Sequence, residues 1–515
     1  MFNQAIAAAR EQGAVPGGNR RILNVLPTGG GKSRIMAWAI YQAAQNNRPV
    51  LVLAHRKKLL HQLARDLRTL GVGYGINHSG WEPDYSQGVQ VCTVQSIRTR
   101  LGKIQQGWSM YGWGTRPGLI IHDEAHYAAP SVRLLLDELQ FGGLLLGYTA
   151  TPITSNGYGL GNTYRKLVAG PDIVELTQMG FLVPLDMIVA YPEGVDPDKW
   201  RISKSSGDYM AEDVDADLGR GEVLGKVVEA YETYCYDQPT VIVANTVRHS
   251  LDILRKFQEA GYPCAHMDGQ TPDRVREHIL SEFQAGRIKV ITNPDLMSEG
   301  IDLPHVVNLI HAGATRSLSK WIQRIGRALR PILGPDGQWA RNPDGSFVKP
   351  RAKVIDMGFC YKKLGHPYDY TRWRLVSTKY DAETIRRDSP KRPHERDCKK
   401  CGYVYSGKQC PNCGYEAPAY REENEELIEH KAKYIQIGAG QGRGNGKTED
   451  ILLYFAEMLY MAREIPIRNN PEAWAAWRVK DKFGQFPPKG ARPTPVKPRW
   501  KSRQDAYNAL RRKNV

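Results

Sequence analysis

The sequence has 515 residues, enough for three or four domains at about 150 residues each. It carries 71 Lys and Arg against 54 Asp and Glu, a formal charge of +17 that points to an anionic partner, either nucleic acid or a membrane surface. No apolar run approaches the roughly 20 residues that span a bilayer, the opening MFNQAIAAAREQG lacks the order of a secretory signal, and eight Cys are too few for a disulfide scaffold. A soluble intracellular protein, located in the cytoplasm, is expected.

In chain order, Ile22 to Leu26 (ILNVL) is an apolar run of strand length. Arg34 to Gln45 has helical spacing, with Ile35, Trp38, Ala39 and Gln42 predicted on one face. Val50 to Leu53, Val89 to Val94, Leu119 to Ile121 and Leu144 to Leu146 read as further strands. Nearly continuous apolar strands alternating with helices predict an α/β domain whose parallel sheet is buried on both faces, assigned to residues 1–190. A stretch rich in Gly, Pro, Ser and Asp, residues 191–222, reads as a loosely structured connector. A second α/β domain, 223–390, is predicted from strands at Val241 to Ala244, Val290 to Thr292, Val306 to Ile310 and Val354 to Ile355, with helices at 223–234, 248–260 and 274–285. Beyond it come a Cys cluster in 391–420, an acidic and Gly-rich linker in 421–448, and a basic helical module in 449–515.

The first strand leads into Pro27, Thr28, Gly29, Gly30, Gly31, Lys32 and Ser33, and then a helix. Glycines let backbone N–H groups turn around a phosphate, and a helix N-terminus adds partial positive charge. Lys32 is placed to reach the β- and γ-phosphates of a nucleotide, and Ser33 to hold Mg²⁺. The strict G-x-x-x-x-G-K pattern is not met, because Leu26 stands where its first Gly belongs. A second signal is Asp123, Glu124, Ala125 and His126 directly after a buried strand. One carboxylate there can hold Mg²⁺ while its neighbour accepts a proton from an attacking water.

PTGGGKS, DEAH and Thr149-Ala150-Thr151 resemble the first three motifs of superfamily 2 helicases. LAHRKKLLHQ (53–62) and TVQS (93–96) resemble motifs Ia and Ib, and VIVANTVRHS (241–250) resembles motif IV. TNPDLMSEGIDLP (292–304) resembles motif V, and Gln323, Gly326, Arg327 and Arg330 match the Q-x-x-G-R-x-x-R of motif VI. The resemblance covers about residues 20 to 360 and is closest to DEAH-type DNA helicases of the Ssl2-like group, including forms common in phage genomes. It implies two tandem RecA-like domains that bind ATP in the cleft between them. Lys32, Asp123, Glu124, His126, Gln323, Arg327 and Arg330 are the catalytic set it implies, with Arg327 and Arg330 as arginine fingers. Gly300 and Asp302 join the phosphate loop as nucleotide-binding residues. His126, Thr149 and Thr151 couple the nucleotide site to nucleic acid. Arg56, Thr93, Gln95, Asn245 and Thr292 line the nucleic-acid track, although a structural hydrogen-bond role stays open for Gln95 and Asn245, and Arg316 is equally a track residue or a surface charge. The aromatic–Gln adenine-reading element of many relatives has no clean match, since only Phe2, Asn3 and Gln4 precede the loop as candidates. The function implied is an ATP-dependent DNA helicase or translocase acting on single-stranded, forked or duplex DNA. RNA as substrate and a catalytically inert nucleic-acid adaptor are the alternatives.

Cys398-x-x-Cys401 and Cys410-x-x-Cys413 are separated by eight residues, each followed by Gly. Four thiolates at this spacing suit tetrahedral Zn²⁺ in a zinc ribbon. The ribbon is open to a nucleic-acid, protein-binding or structural role. The segment from Arg478 to Val515 holds 12 Lys and Arg against 2 Asp in 38 residues. Nearby Trp474, Trp477, Phe483, Phe486 and Trp500 either stack on bases or form the core of a small helical module.

Overall fold

The computed structural model describes residues 1–14, 20–54, 57–78, 81–294, 306–390 and 395–416, all within one compact unit, Met1–Pro418. The predicted linker and basic C-terminal module lie outside the described residues.

The first sheet has seven parallel strands: β1 (Arg21–Val25), β2 (Val50–Ala54), β3 (Tyr74–Asn77), β4 (Val89–Thr93), β5 (Leu119–Asp123), β6 (Leu144–Thr149) and β7 (Lys166–Ala169). Their order is β3-β4-β2-β5-β6-β1-β7. The helices of this half are α1 (Phe2–Ala14), α2 (Lys32–Gln45), α3 (Lys57–Thr69), α4 (Val94–Met110), α5 (Ala129–Glu138) and α6 (Ile173–Gln178). Successive strand side chains point to opposite faces. Ile22, Val50, Val52 and Ile121 therefore join one core cluster with α1 to α3, while Leu23, Leu51, Leu53 and Ile120 join another with α4 and α5. Full burial of each such side chain stabilises by about 1.5–3 kcal/mol, which fixes these runs at the centre of the domain.

The second sheet is also parallel: β8 (Leu185–Val189), β9 (Thr240–Val243), β10 (Cys264–His266), β11 (Val290–Asn293), β12 (Asn308–His311) and β13 (Ala352–Asp356), ordered β10-β11-β9-β12-β13-β8. Its helices are α7 (Ala211–Leu218), α8 (Gly221–Tyr234), α9 (Val247–Glu259), α10 (Asp273–Gln284), α11 (Leu318–Ala328), α12 (Cys360–Leu364) and α13 (Ala382–Asp388). Two parallel-sheet α/β halves are present, as expected; Asp123 and Thr149 end strands of the first, while Gln323, Gly326 and Arg327 lie on α11 of the second.

Three expectations need correction. The strand at 185–189 falls inside the range assigned to the first domain, yet it pairs with β13 at the edge of the second sheet. The predicted α2 face is rotated: Met36, Ala37, Ala39, Ile40 and Ala43 are buried, while Trp38 is 46% exposed and stacks on Tyr41. The connector is ordered. Trp200, Val214, Leu218 and Val223 form a core with Ala314 and Phe359, and several of its Asp residues are bonded rather than solvated. Asp217 accepts from Trp200 Nε1 at 2.7 Å, and Asp208 accepts from Thr315 Oγ1 and Arg316 N, both at 2.7 Å.

Two later segments complete the unit, a strap that ties the halves together and a module that covers a sheet edge. After β13 the chain returns to the first domain. Gly159 and Gly161 donate to Thr378 O and Val376 O at 3.0 and 2.8 Å, and Tyr380 N donates to Gly157 O at 2.7 Å. This strap leaves no room for a side chain, because a Cβ on Gly159 would lie 2.2 Å from Val376 O. The Cys-rich module adds β14 (Glu395–Asp397) and β15 (Val404–Ser406), an antiparallel pair. It sits on the outer edge of β8. Val189 N donates to Gly402 O at 2.9 Å, and Tyr403 Oη donates to Asp186 Oδ1 at 2.7 Å.

Candidate functional site

The phosphate loop is shaped by local backbone demands. Gly29 and Gly31 take φ of 87° and 84°, the left-handed region that Gly enters without steric cost. Gly31 caps α2, so Lys32 and Ser33 occupy its first turn. Gly30 N closes the turn onto Pro27 O at 3.0 Å, and Leu26 N donates to Thr149 O at 2.9 Å, joining the loop to β6. Lys32 Nζ donates to Leu26 O at 3.2 Å. The loop also meets the second domain. A Cβ on Gly326 of α11 would lie 2.9 Å from Thr28 Cβ, and one on Gly29 would lie 3.5 Å from Arg330 Cγ.

Asp123 ends β5, one strand from β6 and two from β1, and is buried. Glu124 takes φ of 46°, and its N–H donates to Asp123 Oδ1 at 2.8 Å. Burial, reinforced by the neighbouring Glu124 charge, pushes the Asp123 carboxyl upward, and Lys32 opposes it. Burial pulls the Lys32 ammonium downward. Glu124 and Asp123 oppose that shift, while Arg330 and Arg327 add to it. Two carboxylates and three cations thus share one small volume, a charge set suited to a polyphosphate with a divalent ion. Asp123 and Ser33 present oxygen donors that fit Mg²⁺.

From Glu124 a polar path leads into the second domain. His126 Nδ1 lies 3.4 Å from Glu124 Oε2 and 2.9 Å from Thr149 Oγ1. Gln323 Nε2 donates to His126 Nε2 at 3.3 Å, which places the ring proton on Nδ1, toward Thr149 and Glu124. The Thr149 hydroxyl donates to Thr151 O at 2.8 Å. Thr151 Oγ1 then meets Ser319 Oγ of α11 at 2.6 Å, and Ser319 accepts from Gln323 Nε2 at 3.0 Å. His126, Thr149, Thr151, Ser319 and Gln323 are all buried, so each lost bond leaves an unpaired polar group costing about 1–3 kcal/mol. Ser319 belongs to none of the sequence motifs. Its only signal is that it stands one helical turn before Gln323.

The structure brings together Pro27, Thr28, Gly29, Gly30, Gly31, Lys32, Ser33, Asp123, Glu124, His126, Gln323, Arg327 and Arg330. Arg56, Gly300 and Asp302 lie outside the described residues. The expected nucleic-acid track divides. Gln95 is exposed at the start of α4. Thr93 is buried and caps α4, its Oγ1 accepting from Ser96 N at 3.2 Å. Asn245 Oδ1 accepts from Ala314 N at 2.8 Å, the structural role left open for it. Thr292, expected on the nucleic-acid track, is fully buried in β11. Arg316 lies over the Tyr209 ring at 5.9 Å.

The four cysteines form two matching knuckles. Gly402 N and Gly414 N donate back to Cys398 O and Cys410 O at 2.8 and 2.9 Å, with φ of 66° and 70° at the two Gly. All four Sγ atoms lie within 4.8 Å of one another, with Cys398–Cys413 at 3.6 Å and Cys401–Cys410 at 3.7 Å. Zn–S bonds of about 2.3 Å in a tetrahedron require S···S edges of about 3.8 Å, so this donor set fits Zn²⁺.

Tandem parallel sheets, a Gly-rich loop entering a helix and paired carboxylates on the next-but-one strand define a two-domain P-loop protein of RecA-like type. The family described as "Type III restriction enzyme, res subunit" matches residues 3–154, and "Helicase conserved C-terminal domain" matches residues 224–331. The "51.5 kDa protein" of Lactococcus phage (isolate 7-9) is 27% identical over 403 residues, covering 78% of this chain and 79% of the phage protein. IRC3 of Saccharomyces cerevisiae, named as a proposed ATP-dependent helicase, is 24% identical over 332 residues, covering 61% of this chain and 47% of that protein. Among solved structures, the DNA-bound ATP-dependent Type ISP restriction-modification enzyme LlaBIII superposes with a TM-score of 0.46 at 15% identity, over 69% of this chain and 27% of that one. The two family matches and the phage relative support a superfamily 2 helicase of the Ssl2-like group that includes phage forms. Among the described residues, no helix is long and apolar enough to cross a membrane.

Proposed function

We propose that the protein is an ATP-dependent DNA translocase or helicase that hydrolyses ATP between its two α/β domains, in the cytoplasm of a bacterium or an infected host. The observation that carries this reading is the hydrogen-bonded set His126, Thr149, Thr151, Ser319 and Gln323 that joins the two domains, with Glu124 3.4 Å from His126 and Arg330 over the phosphate loop. In this reading Lys32 and the loop N–H groups hold the β- and γ-phosphates. Asp123 and Ser33 would hold Mg²⁺, which neutralises phosphate charge when bound. Glu124 orients the attacking water and accepts its proton. Arg327 and Arg330 meet charge that develops on the γ-phosphate, a contribution of about 10³ to 10⁵ in rate for such fingers. Their guanidiniums come from the second domain, so hydrolysis requires a closed cleft, and the cycle can drive opening and closing. Exposed Gln95 remains a candidate contact to the DNA backbone, and the ribbon and basic C-terminal module are candidate grips on DNA or on a protein partner.

Lys32→Ala should lower DNA-stimulated ATP turnover by roughly 10²-fold or more. Glu124→Gln should bind ATP and fail to hydrolyse it. Normal turnover in either variant removes that residue from its role. Turnover measured with single-stranded DNA, duplex DNA and RNA sets the substrate: stimulation by RNA alone would make this an RNA helicase, and no stimulation by any of them would leave an inert adaptor.

A further inference from the structure

Lys349 is 2% exposed and sits at the end of a segment that reads in sequence as a polar surface loop. Residues 332–348 fold into two consecutive turns. Leu333 bridges Trp339, Arg341 bridges Phe347, and Arg341 lies 4.2 Å over the Phe347 ring. Ala340 N donates to Ile332 O at 2.8 Å and Val348 N to Ala340 O at 2.9 Å. Trp339 Nε1 fastens the segment to Gly180 O at 2.9 Å. This double turn delivers the Lys349 ammonium to the carboxyl end of α11. There Nζ donates to Ala328 O at 2.5 Å and to Arg330 O at 2.7 Å. Val183 N donates to the intervening Leu329 O at 2.9 Å. Three consecutive carbonyls are therefore held, two of them by one side chain.

A helix ends with unpaired carbonyls and partial negative charge, and a cation there is favourable. That explains how an ammonium can be buried here without a carboxylate. It does not explain why a lysine was needed, because a main-chain turn could close the helix equally well. The reason lies just beyond the end of α11. Arg330 is the residue immediately past the C-cap, and its side chain runs back across Gly29 of the phosphate loop. A guanidinium acts on a developing charge only if its backbone origin is fixed, and misplacement by about 1 Å can cost roughly 10²-fold in rate.

We propose that Lys349 is a positioning residue for the arginine finger: by holding Ala328 O and Arg330 O it fixes the backbone from which Arg330 reaches the γ-phosphate. The inference rests on the ATPase reading of the site. In this role Lys349 acts through the Arg330 backbone.

The test is steady-state ATP hydrolysis by the full chain with saturating DNA, on Lys349→Met, Lys349→Arg, Arg330→Ala and the Lys349→Met/Arg330→Ala double variant. Lys349→Met should lower kcat by roughly 10- to 100-fold while KM for ATP moves less than about threefold, the pattern of an interaction made only in the transition state. Lys349→Arg, which keeps charge and donors, should recover part of the loss, and it carries the test if the Met variant does not fold. The double variant should turn over no more slowly than Arg330→Ala, because two residues acting through one group are not additive. Wild-type kcat in Lys349→Met, or multiplied losses in the double variant, would overturn the proposal. Full turnover in Lys32→Ala would instead overturn the ATPase reading beneath it, so the two failures are distinguishable.

Discussion

At the scale of single residues, the site is a problem of burying charge. Lys32 and Asp123 oppose each other's shifts, whereas Lys349 donates to backbone carbonyls alone and has the like charge of Arg330 nearby. Burial, with Arg330 adding to it, pulls the Lys349 ammonium down to about 7. An unfolded lysine titrates near 10.4, so between about 7 and 10.4 the unfolded chain binds more protons than the folded one. Stability from this site therefore rises as pH rises across that window. The melting temperature of wild type, relative to Lys349→Met, should climb between about pH 7 and 9.5. A constant difference between the two would show that the ammonium titrates normally in the folded chain. The phosphate loop and the DEAH sequence were legible because their chemistry depends on neighbours in sequence. Lys349 and Ser319 were not, because each acquires its meaning from a partner that only the fold brings near.

At the scale of elements, the strands that could be read were those with uninterrupted apolar runs, such as β2 and β5, buried on both faces. Strands β7 and β10 escape a reading by apolar runs, since none of their residues is fully buried and the apolar signal is weak. β8 escapes assignment to the second sheet because pairing at a sheet edge leaves no mark in sequence order. That edge has a further consequence. An open strand edge is a template for pairing with other chains. The Cys module covers it, with Gly402 so close that a Cβ would lie 2.1 Å from Val189 O. A module this small is expected to fold only with a bound metal. Elemental analysis should find one Zn²⁺ per chain. Stripping it with a chelator should lower the melting temperature and raise light scattering as β8 is uncovered. A metal-free protein that stays monodisperse on heating would separate the module from this protective role.

At the scale of the whole described unit, the connector, the polar contacts at α11 and the strap at 376–380 all join the two α/β halves. The strap matters for stability because its bonds are main-chain bonds packed too tightly for a side chain. Gly159→Ala should cost about 1–3 kcal/mol through overpacking against the Val376 carbonyl. The loss should appear as a lower urea midpoint, and an unchanged midpoint would mean that the strap is not closed in solution.

The strap also sets a schedule for the chain's synthesis. Residues 157–161 emerge from the ribosome some 215 residues before 376–380, and β8 emerges well before β13, its only partner in the sheet. At roughly 5–20 residues per second, Gly159 and Gly161 wait on the order of 10–40 s for the carbonyls that receive their N–H groups. The first half of the nascent protein is thus born with an unfinished rim. Chaperone occupancy is expected to fall on this interval, after the motif at 149–151 has been made and before Tyr380 has left the exit tunnel.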